Sequence, residues 1–168
     1  MPESTICRTK RDGQIAYLDS GGANSYTVAY EPGDFSYDCP AAAVNAFLDR
    51  GSLGATPCLR LGDDQPMTFG HSAYLRDVGD PAAGYATLLD IAQEFAAGFV
   101  AANWTSTLGT ASDAFTVTVT LTIDGASFGE ADKTLTFPFS VVRASVAEGD
   151  PDTVTISGTS YAVRPVLS

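Results

Sequence analysis

The stretch AFTVTVTLTID, residues 114–124, alternates apolar and polar residues without a break. The apolar set is Phe115, Val117, Val119, Leu121 and Ile123, and the polar set is Thr116, Thr118, Thr120, Thr122 and Asp124. A period of two with many β-branched residues indicates a strand. Burial contributes about 1.5–3 kcal/mol per large apolar side chain, so the apolar set predicts a core face. The threonine set lacks the Lys and Glu of an ordinary solvent face and suits water, a neighbouring sheet or a polar channel.

The composition is that of one folded, acidic domain. The chain has 168 residues, 45% of them hydrophobic, which favours a single domain over residues 1–168 with a full core. Its net charge of −11 argues against a DNA-binding protein, because the basic footprint of such a protein is missing. The apolar runs fall short of the ~20 residues of a membrane span. The N-terminal MPESTICRTKRDG lacks a secretory signal pattern, so we expect folding in a cytoplasm.

Short alternating segments separated by turn residues dominate the chain. They predict strands at residues 14–18, 25–30, 57–62, 66–75, around Trp104, at 116–123 and 133–146, and in a closing hairpin over 152–166 that turns at SGTS. Asp63 and Asp64 mark a further hairpin turn between two of these strands. Pro138 predicts a bulge or an edge position in the long strand, and Trp104 is expected in the core.

Two segments favour helix. Asp80 as N-cap, Pro81 at the first helical position and an apolar face from Tyr85 to Phe99 predict one packed helix. The stretch AAAVNAFL, residues 41–48, predicts a smaller one. The expected fold class is therefore mainly β, a β-sandwich or barrel with one packed α-helix.

Residues 31–56 form a long excursion between predicted strands. A loop of this length is usually functional or disordered. Its Phe35, Tyr37, Phe47 and Leu48 argue against plain disorder, because such side chains need a surface to pack on. We therefore expect an ordered assembly loop that meets a partner.

The sequence offers little catalytic chemistry. His71 is the single histidine and is expected to be structural or on the surface. Three cysteines, Cys7, Cys39 and Cys58, are too few and too widely spaced for a disulfide framework or a four-ligand zinc site, so buried free thiols are expected.

The acidic run Glu148–Asp152 could hold calcium, but it lacks the later glutamate of a calcium loop and reads as a turn. Phosphate-loop, dinucleotide and nucleophile-elbow motifs are missing from the sequence. We therefore expect no enzyme, no cofactor and no metal.

Two stretches resemble the tail tube (major tail) proteins of long-tailed bacteriophages. The first runs from residue 31 to 75, and its matching positions are Gly33, Asp34, Phe35, Leu48, Asp49, Arg50, Gly51, Arg60, Gly62, Asp63 and Pro66. The second runs from the threonine strand through GEADK to EGDP, residues 118–151. Together they cover about half of the chain, and the order of several short motifs carries the resemblance.

The resemblance implies a structural virion protein of the tail, assembled in the host cytoplasm. Its copies would form hexameric rings that stack into the tube through which the genome is delivered, without catalysis. Partners would be further copies, the tape measure and terminator proteins, and DNA that passes without specific binding, with no membrane involved. The loop residues Gly33, Asp34, Phe35, Asp49, Arg50 and Gly51 would then contact neighbouring subunits, although an intrachain turn at Asp49–Gly51 is equally compatible. Thr116, Thr118, Thr120 and Thr122 would face the lumen or a neighbouring sheet, with plain solvent as the alternative.

Two other readings stay open. A head decoration or tail-terminator subunit, or a tube protein of a phage-derived injection particle, would also be acidic, rich in strands and free of catalytic motifs. A carbohydrate-binding module would need aromatic side chains on one flat face, for which the pool is Tyr26, Tyr30, Phe35, Tyr37 and Trp104.

Overall fold

The fold is known from a computed structural model of the chain. The structure describes residues 13–22, 24–28, 33–48, 57–75, 104–111, 114–126, 129–162 and 164–168. The predicted helix at residues 80–99 lies outside these ranges. So do Asp49, Arg50, Gly51 and Cys7.

The regular secondary structure of the described residues is almost entirely strand. These are β1 (Gly13–Leu18), β2 (Ser25–Thr27), β3 (Ser36–Asp38), β4 (Val44–Leu48), β5 (Pro57–Leu61), β6 (Met67–Tyr74), β7 (Val117–Ile123), β8 (Lys133–Ala147), β9 (Thr153–Ser160) and β10 (Val166–Leu167). A 3₁₀ turn occupies Gly109–Ala111. The expectation of a mainly β fold is confirmed.

Eight of these strands form one antiparallel sheet that curls around its own core. Its order is β2-β1-β7-β8-β9-β6-β3, and β10 pairs with the first half of β8. Three strands separate β1 from β6, so a flat sheet would place them about 19 Å apart at ~4.8 Å per strand. Yet the hydroxyl of Tyr17 on β1 lies 2.5 Å from Nε2 of His71 on β6. The sheet is therefore curled into an open barrel.

Alternation along each strand fills the concave side. The threonine strand behaves as predicted, since Val117, Val119 and Leu121 are buried. The rest of the buried hydrophobic core is Ile15, Tyr17, Val28, Met67, Phe69, Ala73, Trp104, Phe137, Val142, Val154 and Ile156. Trp104 is thus a core residue as expected, but residues 104–106 do not form the strand that was predicted there.

A bulge at Pro138 and Phe139 keeps the long strand β8 in register with the core. The pairing of β7 with β8 shifts by one residue between Val117 and Val119, and Phe139 has a positive φ of 52°. The buried hydroxyls of Ser140 and Ser160 donate to the carbonyls of Phe137 and Pro138 at 2.8 and 2.5 Å. The extra residue restores the inward direction of Val142 after the bulge. The expectation from Pro138 is confirmed.

Buried polar groups fasten residues 104–108 to the sheet. The Asp19 carboxylate accepts bonds from Asn24 Nδ2 at 2.7 Å and from Thr105 Oγ1 at 3.3 Å. Burial raises the pKa of Asp19, but the hydrogen bonds from Asn24, Thr105 and Gly21 outweigh it and hold that pKa below its usual value. These bonds close the β1–β2 turn and hold it against Thr105.

Three local predictions are wrong. Residues 44–48 of the predicted small helix form strand β4, because pairing with β5 overrides the helix propensity of alanine. β5 and β6 do not form a hairpin around Asp63 and Asp64: β5 pairs with β4, and β6 pairs with β9 and β3. The SGTS stretch is not a turn, since Thr153–Ser160 is one continuous strand.

The cysteine prediction is also wrong where it can be checked. Cys39 and Cys58 are free but exposed. Cys58 lies on β5, opposite Phe47 of β4, in a hairpin that stands away from the core. Burial of a thiol requires a covering layer, and this hairpin has none among the described residues.

Candidate assembly surfaces

The β4–β5 hairpin carries an exposed apolar ladder. Its cross-strand pairs Val44–Leu61 and Ala46–Leu59 follow the alternation that puts them on one face. Val44, Leu59 and Leu61 are 61%, 64% and 75% exposed. The opposite face carries the pairs Asn45–Arg60 and Phe47–Cys58. We call these two apolar pairs, Val44–Leu61 and Ala46–Leu59, the apolar ladder.

The hairpin is a separate two-stranded sheet. Its base is closed by one bond, in which the amide of Gly62 donates to the carbonyl of Ala43 at 2.7 Å. An isolated two-stranded hairpin is marginally stable in water and needs a further strand or a packed layer. The apolar ladder on such a hairpin is therefore a candidate assembly surface.

The segment before this hairpin is fixed to the barrel by the predicted loop residues. Gly33 has a φ of 79°, in the region that favours glycine. Asp34 Oδ1 accepts the amide of Ser72 at 2.8 Å. The Phe35 ring stacks on Phe69 and His71 with centroids 6.0 Å away in each case. These contacts lie within the chain and hold Asp34 and Phe35 against the barrel.

His71 lies beneath this anchor and is a structural residue, as expected. Burial raises the pKa of Tyr17, and the nearby Tyr26 adds to this, so the Tyr17 hydroxyl stays protonated and donates to His71 Nε2. Burial lowers the pKa of His71, although a bond to the Ser72 carbonyl and the Asp34 charge oppose this. The neutral ring accepts from Tyr17 and donates from Nδ1 to the Ser72 carbonyl at 3.3 Å.

This geometry predicts loss of stability in mild acid. Because the pKa of His71 is lower in the folded than in the unfolded chain, the unfolded chain binds more protons below pH 6.5, and the free energy of unfolding falls as the pH decreases. His71→Gln keeps an acceptor for Tyr17 but does not titrate there. Urea unfolding at pH 7.5 and 5.5 should show a larger loss for the wild type than for His71→Gln. Equal losses would contradict the prediction.

The convex side of the sheet is covered by hydroxyl side chains well beyond the threonine strand. Thr120 and Thr122 pair with Thr136 and Thr134 of β8. Further along, hydroxyl residues alternate on β8, β9 and β6 in the same way. The full set, which we call the hydroxyl face, is Thr68, Ser72, Thr118, Thr120, Thr122, Thr134, Thr136, Ser145, Thr153, Thr155, Ser157 and Thr159. Sequence reasoning found only the part on β7, because the predicted turn at SGTS divides the β9 row and the rows on β6 and β8 are interrupted.

Thr116 does not belong to this face. It is 1% exposed, and its hydroxyl lies 2.7 Å from Thr107 Oγ1 and 3.0 Å from Ser106 Oγ. Thr118, Thr120 and Thr122 are partly exposed. Of the four threonines expected to face a lumen or a neighbouring sheet, Thr118, Thr120 and Thr122 therefore lie on the outer face of the sheet, and Thr116 does not.

The curl divides the hydroxyl face into two walls. Thr118, Thr120, Thr122, Thr134 and Thr136 form the β7 wall, and Thr68, Ser72, Ser145, Thr153, Thr155, Ser157 and Thr159 form the β9 wall. Tyr17, on β1 next to β7, lies on the core side of the β7 wall, and His71, on β6 next to β9, lies on the core side of the β9 wall. The hydrogen bond between these two side chains crosses the core. The two walls consequently face in different directions.

The described residues show little sign of a metal, sugar or membrane site. They contain no cluster of three or more His, Cys, Asp or Glu residues that could hold a metal ion. In the acidic turn, Asp152 Oδ1 accepts the amide of Gly149 at 2.9 Å, as turn chemistry predicts. Of the aromatic pool for sugar binding, Phe35 and Trp104 pack on or in the core, and Tyr37 is 48% exposed. The described ranges contain no helix with the length and hydropathy of a membrane span.

The curled sheet and its separate hairpin form a fold that is also found in a chain of a prophage baseplate. The chain is similar to one in a solved structure entitled "Cryo-EM structure of the anti-feeding prophage (AFP) baseplate, 6-fold symmetrised". The TM-score is 0.57 at 9% identity, over 100% of this chain and 97% of that one. No protein-family model matches the chain, and no curated protein matches its sequence. At this identity the likeness establishes the fold.

Proposed function

We propose that this chain is a non-enzymatic structural subunit of a phage tail, a tail tube protein whose copies form hexameric rings that stack into a tube for genome delivery. The observation that carries the proposal is the apolar ladder, because it is an assembly surface that a monomer leaves in water. The similarity between the fold of this chain and that of a chain in a six-fold symmetrised baseplate supports the same conclusion. The subunit would belong to the virion tail, would be assembled in the host cytoplasm and would contact tape measure and terminator proteins.

The ladder supports association between copies. Leu59 and Leu61 would each contribute about 1.5–3 kcal/mol if fully buried. In the free chain they contribute much less, because they are 64% and 75% exposed. A ring or stack in which each hairpin covers a neighbour would supply the missing packed layer. The sequence continues from β4 directly into Asp49, Arg50 and Gly51. We therefore propose these three residues as further contacts between copies.

The β7 wall supports a bore. A wall of threonine hydroxyls on a chain of net charge −11 offers DNA few cations, so few counterions are released on contact and adhesion is weak. We assign the lumen to this wall, because it contains the longest uninterrupted threonine row of the described sheet. DNA would then pass without specific binding.

Electron microscopy of the purified, concentrated protein tests the assembly directly. Stacked hollow rings with six-fold symmetry are expected. Single rings that do not stack would favour a tail terminator, and trimers would favour a head decoration protein. Particles of monomer size at every concentration would contradict the proposal.

Cationic substitutions test the lumen assignment. We expect tubes of Thr118→Lys/Thr120→Lys, assembled with short DNA duplexes, to retain DNA that is protected from nuclease, with retention falling steeply as salt increases. Thr153→Lys/Thr155→Lys adds the same charge to β9 and is the matched control. DNA retained by the control tubes should be digested. Equal protection in both variants, or none in either, would count against the β7 wall as the lumen.

A further inference from the structure

We infer that a groove around Arg143 on the convex side of the sheet is a second contact between copies, which receives a carboxylate of a neighbouring subunit. The inference rests on the proposed function, since it concerns assembly of the same chain. It names a polar contact distinct from the apolar ladder.

The groove lies where β6, β9 and β8 run side by side. Thr68 pairs with Thr159, which pairs with Val141, and Ser157 pairs with Arg143. The groove measures about 430 Å³, and its lining includes Thr68, Val141, Arg143, Ser157, Thr159 and Tyr161. Side chains on one face of neighbouring strands are close enough to act on one ligand. The groove therefore surrounds one guanidinium with four hydroxyl groups.

Arg143 has no ion pair among the described residues. It is exposed on the outer row of β8, and the neighbouring positions on that row are Val141 and Ser145. A guanidinium offers five N–H donors in a planar fork that fits a carboxylate through two parallel bonds. Hydroxyls beside it can donate to the same oxygens. The groove thus has the donors for one carboxylate group.

Charge complementarity selects a second copy as the occupant. The chain has 20 Asp and Glu residues against 9 Lys and Arg, so the surface of another copy is rich in carboxylates. Glu130, Asp132, Glu148 and Asp150 are examples that are exposed in turns or at their edges. A nucleic acid would need several cations along its backbone, whereas this groove supplies one among its lining residues.

The direction of the groove fits a contact between subunits. It lies on the β9 wall, which faces in a different direction from the β7 wall assigned to the lumen. A neighbour in the ring or in the next ring can approach that side. The groove would then fix the register of neighbouring copies, since a charged pair at a close contact penalises wrong juxtapositions.

Assembly of Arg143→Gln tests the inference. The concentration at which half of the protein is assembled, measured by sedimentation velocity at low salt, should rise at least about tenfold for Arg143→Gln and less for Arg143→Lys. The wild-type value should itself rise with salt. Lys133→Gln removes the same charge from the same strand outside the groove, and its assembly should match that of the wild type. Thermal melts of the monomeric variants should also match the wild-type melt.

The other outcomes overturn the inference. If the wild type forms tubes and Arg143→Gln assembles equally well at all salt concentrations, the groove is not a contact and the proposed function stands. If Arg143→Gln assembles normally but loses binding to a labelled DNA duplex, the occupant is a phosphate. If the wild type forms no rings, both the inference and the proposed function fail.

Discussion

Leu59→Asp/Leu61→Asp is expected to leave a folded monomer that no longer assembles. Both side chains lie on the apolar ladder and are more than half exposed in the free chain, so a carboxylate there costs the monomer little. In the proposed assembly the same positions would be buried, and an unpaired carboxylate without water costs several kcal/mol. Sedimentation velocity and electron microscopy should show monomers at concentrations where the wild type forms rings or tubes.

Asn45→Asp is the matched control for this experiment. It adds a negative charge to the same hairpin, but on the opposite face, where Asn45 pairs with Arg60. We expect near-normal assembly, and melting temperatures of all three proteins that agree within a few degrees. Normal tubes from the double aspartate variant would contradict both the ladder as an interface and the observation on which the proposed function rests.

Gly158→Val is expected to destabilise the barrel itself rather than the contacts between copies. Gly158 pairs with Phe69 across β9 and β6, and both are buried on the core side. A Cβ at Gly158 would overlap the Phe69 ring, and that ring also packs against Phe35 and Phe137 at 6.0 and 5.4 Å between centroids. Overpacking of this kind costs about 3 kcal/mol. For a chain of this length, the melting temperature should fall by about 10 °C.

A double-mutant cycle gives the control for this prediction. Gly158→Ala and Phe69→Ala should each destabilise the protein, the first by overlap and the second through the lost ring. Together they should cost less than the sum, because removing the ring makes room for the Cβ. Additive costs in urea unfolding would show that the overlap does not determine the stability. Gly70→Ala, whose Cβ meets one backbone oxygen at 3.3 Å, should cost less than Gly158→Val.

The sequence was sufficient where one periodicity ran without interruption. The strict alternation at residues 115–123 fixed the core face of β7, and Pro138 marked the bulge, because a residue without an N–H cannot continue the ladder there. Local signals failed where pairing partners are distant. AAAVNAFL contains alanines that suit a helix, but the pairing of Val44–Leu48 with Pro57–Leu61 decided for a strand. Likewise the residue types of SGTS suit a turn, but the pairing of Gly158 with Phe69 places them inside the continuous strand β9.

The candidate site shows the same division. The sequence determined that the chain is acidic, rich in strands and carries a threonine row, because charge and alternation are properties of the chain itself. Only the tertiary structure decided that Thr116 is buried, that the hydroxyl face extends over β6, β8 and β9, and that the apolar ladder stands in water. These features depend on which strands pair and on how the sheet curls, and such contacts join residues far apart in the sequence.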